Sequence, residues 1–137
     1  MDQITKFWAV SFLSLGESLP LFPEVFHLTL VYNTGIAFGF FRHHQSLLFI
    51  LITLSLIFLF LWGLRIHSAR KSQASVHWGL GLILGGALGN WIDRLRLGAV
   101  IDFLDFRIWP VFNLADSAIT IGVCWYMIRL LLRSHPP

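Results

Sequence analysis

Residues 47–64 form one apolar run in which Thr53 and Ser55 are the polar interruptions. A helix of about 18 such residues is long enough to cross the hydrocarbon of a bilayer. In water it would have too little partner surface in a chain of 137 residues. Two further runs follow: a glycine-rich one over residues 76–92, and one over residues 114–132. At about 1.5 Å per residue, helices of this length reach most of the way across a ~30 Å core. Charged residues make up only 12% of the chain, with a mean hydropathy of +0.73, where a soluble domain carries about a quarter. These features predict a single membrane-embedded domain, mainly α, built as a transmembrane helix bundle with three visible spans.

Basic residues orient the spans. The connection over residues 65–76 holds Arg65, Arg70 and Lys71, and the tail holds Arg129 and Arg133. The opposite side carries as many (Lys6, Arg42, Arg94, Arg96, Arg107), spread over longer segments. Density in short loops therefore favours a cytoplasmic 65–76 connection and C-terminus. The net charge of +3 and pI near 9.6 carry no basic stripe or nucleic-acid motif, so no nucleic-acid partner is expected. Residues 1–46 then lie outside with no span to lead them across. Within them, residues 25–41 are rich in β-branched and aromatic types around Asn33-Thr-Gly35, which predicts a small extramembrane β-element. The single cysteine, Cys124, excludes an internal disulfide.

Two aspartates stand at the polar edges of these apolar segments. Asp102 lies in Gly98-Ala-Val-Ile-Asp-Phe103 and Asp116 in Phe112-Asn-Leu-Ala-Asp-Ser117. A carboxylate at a hydrocarbon boundary costs several kcal/mol unless partnered, hydrated or protonated. Two that share a proton leave one as base and the other as acid, the chemistry of aspartic peptidases. Asn113 and Asp116 share a helix face as N-cap and first-turn acid, and Asp116 alone is read more readily as capping than as catalysis. Asn90 and Arg94 likewise share a face, beside Asp93. That group fits a helix-end ion pair or a shell that orients a carboxylate, and spacing alone does not choose. Gly81, Gly85 and Gly89, with Gly86 beside them, form a small-residue stripe suited to close helix packing. The six histidines are scattered without metal-ligand spacing, so no metal or cofactor is expected. Neither a nucleophile elbow nor a phosphate-binding loop is present.

Five blocks in order resemble the lipoprotein signal peptidases, the membrane aspartic peptidases also called signal peptidase II. They are Asp2-Gln-Ile-Thr-Lys6, Tyr32-Asn-Thr-Gly-Ile-Ala-Phe38, Gly85-Gly-Ala-Leu-Gly-Asn-Trp-Ile-Asp-Arg94, and the two blocks holding Asp102 and Asp116. The resemblance implies that Asp102 and Asp116 are the catalytic pair, with Asn33, Asn90, Arg94, Asn113, Asp2 and Lys6 in support. It implies four transmembrane helices with a periplasmic β-element. The implied site is a monomer's, on the outer face of a bacterial inner membrane. Its reaction is cleavage of prolipoproteins just before a diacylglyceryl-cysteine, with membrane lipid around the acyl chains. In the family a span precedes the Asp-Gln-x-x-Lys block, whereas here one methionine does, so an upstream helix is expected. The rival reading is a non-enzymatic proton or cation pathway lined by the two aspartates. A pathway needs polar groups through the membrane depth, whereas these spans hold only Thr53, Ser55, Ser117, Thr120 and Cys124 inside. Which aspartate is base and which acid stays open.

Overall fold

The structure, a computed structural model, describes residues 1–35, 45–69 and 74–132. Its elements run α1 (Asp2–Phe12), β1 (Ser18–Phe22), β2 (Phe26–Asn33), α2 (Gln45–Ala69), α3 (Ala74–Leu97), β3 (Val100–Asp105) and α4 (Leu114–Leu131). The three expected apolar runs fall within α2, α3 and α4, apart from Leu132, which lies one residue past α4. Taken over the described residues, no helix is long and apolar enough to cross a membrane. Yet α2 leaves Ile50, Leu51, Leu54, Ile57, Phe58 and Phe60 exposed. So large a bare apolar surface belongs against another apolar phase.

The β-element is larger than the expected 25–41 segment, whose residues 36–41 lie outside the described residues. Its strands pair antiparallel in the order β1-β2-β3. β2 is the central strand, so its backbone groups are spent on both neighbours and offer no free edge. The β1–β2 turn is closed by the Val25 N–H donating to the Phe22 carbonyl at 3.1 Å. Pro23 presets its first corner, and Glu24 takes the left-handed conformation at φ 64°. Leu13, Leu30 and Ile101 form the small core beneath the sheet.

The turn into β3 is built by Gly98. At φ 71° it ends α3 in the left-handed cap that glycine adopts without strain, its N–H donating to the Arg94 carbonyl at 3.0 Å. The chain then reverses directly into Val100 and carries Asp102 onto the sheet. Sequence patterning placed Asp102 at a membrane edge. The structure sets it on a strand almost wholly buried on both faces, which erases the alternation that marks a strand. After β3 the chain folds back. Phe112 exchanges backbone hydrogen bonds with Leu104 at 2.8 and 3.0 Å, which delivers Asn113 beside Asp102.

Helices α3 and α4 pack most closely, along part of the expected stripe: Gly86 lies against α4, and a methyl group on Gly89 would meet Asp2 and the Ala115 side chain. Gly81 and Gly85 face open space, whereas Gly79 and Gly86, seven apart, meet α4. A methyl group on Gly86 would collide with the Ala115 carbonyl oxygen, and one on Gly122 would come within 2.7 Å of the Gly79 oxygen. Gly86→Ala should therefore force the two helices apart and lower stability by about 1–3 kcal/mol. Gly85→Ala should be neutral or better, because alanine is the stronger helix former. Thermal inactivation in detergent checks the pair, and equal sensitivity at both positions would show that the α3–α4 contact does not limit stability.

Candidate functional site

Four elements meet where α3 ends and α4 begins. Asn113 opens α4 as its N-cap: its Oδ1 accepts the Asp116 N–H at 3.0 Å, and its own N–H donates to Asp116 Oδ2 at 3.3 Å. With its oxygen held that way, the planar amide turns its Nδ2 toward the sheet. There it meets Asp102 Oδ1 at 2.6 Å, Asn90 Oδ1 at 3.0 Å and the Ile101 carbonyl at 3.2 Å. Asn113 is fully buried, so these partners replace the water it has lost. One residue thus touches both aspartates.

Asn33, at the end of β2, reaches Asp102 from the other side, its Nδ2 donating to Oδ2 at 3.0 Å. An Asx turn fixes its amide, since Oδ1 accepts the Gly35 N–H at 3.0 Å. Asn90 donates from Nδ2 to Asp116 Oδ1 at 2.7 Å. Three uncharged carboxamides therefore surround the two carboxylates. Arg94 does not donate to either carboxylate; its guanidinium reaches the Gly35 carbonyl at 2.9 Å and the Asn90 carbonyl at 3.3 Å. It ties the end of α3 to the chain that follows β2.

Beneath Asn90 lies a buried ion cluster. Lys6, on α1 and 1% exposed, contacts Asp2 Oδ2 at 2.9 Å, Asp93 Oδ2 at 2.7 Å and Asn90 Oδ1 at 2.8 Å. Asp2 Oδ1 also accepts the Ala115 N–H at 3.0 Å, satisfying one of the donors that a helix start leaves open. Asp93, for which the sequence allowed an ion pair with Arg94, instead pairs with Lys6. Gln3 did not stand out from the sequence, yet its Nε2 donates to Asp93 Oδ1 at 2.8 Å and to the Gly89 carbonyl at 3.1 Å. Its signal was its place inside the Asp2-to-Lys6 block. Among the described residues, no group of three or more His, Cys, Asp or Glu is placed to hold a metal ion.

The two aspartates differ in setting. Asp102 is 2% exposed and Asp116 half-buried. Burial, with the Asp116 charge adding to it, pushes the Asp102 carboxyl up to about 6, against the hydrogen bonds from Asn33 and Asn113 and the Lys6 charge.

A family model described as signal peptidase (SPase) II matches residues 1–132. The lipoprotein signal peptidase of Pelotomaculum thermopropionicum is 48% identical over 132 residues, covering 94% of this chain and 85% of the relative. That of Halothermothrix orenii is 42% identical, covering 95% and 87%. A bacterial membrane enzyme solved by the in meso method at 2.3 Å superposes with a TM-score of 0.85 at 33% identity, covering 97% of this chain and 82% of its own. A second, solved at 1.9 Å, gives 0.80 at 33% identity, with 95% and 84% covered. Fold and family match thus define a membrane protease. The chain belongs to the signal peptidase II family, the proteases of lipoprotein processing.

The raised Asp102 affinity for a proton has a consequence for stability. An unfolded aspartate ionises at 3.8 and the folded one at about 6, so across that window the folded chain binds the extra proton. Stability contributed by this group is present at low pH and is lost as pH rises through the folded value. Melting temperatures in detergent, compared at about pH 4 and about pH 7, should fall less for Asp102→Leu than for the unchanged protein. Equal falls would place the dependence on other groups.

Proposed function

We propose that the chain cleaves the signal peptide from diacylglyceryl-modified prolipoproteins, just before the lipidated cysteine, with Asp102 and Asp116 as the hydrolytic pair. The observation that carries the reading is the bridge through Asn113, which hydrogen-bonds both carboxylates and keeps them neighbours. Asp102, the more deeply buried, holds the proton and donates it toward the scissile carbonyl oxygen. Asp116, more open and at the start of α4, takes a proton from the attacking water. The tetrahedral intermediate then collapses: the proton gained by Asp116 passes to the departing amine, the C–N bond breaks, and one hydroxyl proton of the intermediate returns to Asp102. Asn33, Asn90 and Asn113 hold the carboxylates in place, while Arg94, Asp2 and Lys6 support that shell from behind.

The protein is proposed to act as a monomer in a bacterial inner membrane, spanning it several times, with the pair on the periplasmic side. The exposed apolar surface of α2 supports lipid as its surroundings. Arg129 stands thirteen residues beyond Asp116 on α4, roughly 20 Å along the helix, so base and site lie toward opposite ends. The peptide would meet the pair at the sheet, and its acyl chains would stay in lipid.

Asp102→Asn and Asp116→Asn should each lower cleavage of a diacylglyceryl-modified prolipoprotein by about 10³-fold or more. The double variant should lose little beyond either single one, because residues acting as a unit are not additive. Near-normal turnover by either folded single variant would end the reading of these residues as a hydrolytic pair.

A further inference from the structure

An amide aims its NH2 group at a carboxylate only if its oxygen is held on the opposite side. For Asn33 the holder is the Gly35 N–H and for Asn113 the Asp116 N–H, both local backbone donors. Asn90 lies inside α3, and its oxygen is held from outside its own helix. Asn113 supplies one donor at 3.0 Å, but the same NH2 group also serves Asp102 and Ile101. Lys6 supplies the other at 2.8 Å. Its ammonium has three protons and no acceptor, and the three protons match Asp2, Asp93 and Asn90.

We propose that Lys6 is a positioning residue for the hydrolytic pair: its buried ammonium pins the Asn90 oxygen and so fixes the Asn90 NH2 on Asp116. The inference rests on the reading of Asp102 and Asp116 as that pair. A donor that can never accept makes the flipped amide impossible, since the flip would set NH2 against ammonium. The same positive charge, two contacts away, favours the ionised form of Asp102. Among the described residues, the charged groups around the pair are Lys6 and Asp2 from α1 and Asp93 and Arg94 from α3, while β2 turns the uncharged Asn33 toward it.

The test uses Lys6→Met, which keeps much of the side-chain volume. It also uses Lys6→Met with Asp2→Asn, which removes one charge of each sign, keeps Asp93 with its Gln3 and Ile101 N–H donors, and leaves an oxygen to accept the Ala115 N–H. Cleavage of a diacylglyceryl-modified prolipoprotein in detergent is followed across pH. Both folded variants should lose kcat by about 10²-fold, the scale set by a misplaced catalytic group, with KM changed little. In Lys6→Met, where the positive charge alone is lost, Asp102 keeps its proton to higher pH, so the alkaline limb of kcat should move upward; in the double variant the loss of the Asp2 charge opposes that shift. A residue that merely anchors α1 would lower yield or activity at every pH and leave that limb in place. An unmoved limb in folded Lys6→Met overturns the inference, as does an unchanged kcat in the folded double variant or loss of folded protein in both. If Asp102→Asn or Asp116→Asn stays active, the pair itself fails. If those abolish cleavage and Lys6→Met keeps the limb, only the role of Lys6 fails.

Discussion

The site depends on one buried charge. Lys6 joins α1 to α3 through Asp93 and Asn90, and Asp2 carries the connection on to the start of α4. Buried ion clusters are costly to desolvate, and breaking one partner leaves an uncompensated charge that costs more. Here every ammonium proton has an acceptor, and Asp93 gains further donors from Gln3 and the Ile101 N–H. The cluster therefore selects one arrangement of α1, α3 and β3. That arrangement places Asn90 under Asp116.

Close helix contact serves the same end. The missing side chains of Gly79, Gly86 and Gly122 let α3 and α4 approach backbone to backbone. Gly89 leaves room for the Asp2 carboxylate, which a methyl group there would meet at 2.6 Å. In lipid, packing of this kind drives association in place of a hydrophobic effect. Across the bundle, Trp91 donates from Nε1 to Thr53 Oγ1 at 2.9 Å and stacks on Phe49, holding α2 to the outer side of α3. The apolar exterior, the small-residue contacts and the polar site thus divide the helix surfaces between them.

How much was legible in the sequence follows from how local each feature is. The apolar runs of α2 and α4 needed no partner to be recognised. The Asn113–Asp116 cap was visible because a cap and its helix lie three residues apart. β3 was not visible as a strand, because Val100-Ile-Asp-Phe-Leu-Asp105 is buried on both faces and its pairing with β2 joins segments about 70 residues apart, as in Val31 with Asp102. α1 inverts the usual pattern: Asp2, Gln3 and Lys6 turn inward while Ile4, Phe7 and Trp8 face out. A polar-in helix gives no core-facing stripe to read. The glycine spacing announced close packing and included Gly86 and Gly89, but the face was set by α4 and Asp2, so the four-residue rhythm also took in the open Gly81 and Gly85 and left out Gly79. Lys6 and Asn90, 84 residues apart, met only in the fold. The five sequence blocks carried the family, and their geometry had to come from the structure.

Using carboxamides around the pair suits a site that must hold one proton between two acids. A lysine or arginine placed directly on either carboxylate would favour the charged form of both, and the proposed acid would be lost. Leaving the carboxylates without donors would favour both protonated forms in so buried a place. Asparagine lies between: it donates a hydrogen bond, adds no charge, and does not titrate near neutral pH. The cationic groups are kept one step removed, Lys6 behind Asn90 and Arg94 on backbone carbonyls. Their charge reaches the pair weakened, while their hydrogen bonds hold the amides in place. Separating charge from contact in this way suits the proposed roles, a buried Asp102 that keeps its proton beside an Asp116 open enough to take one from water.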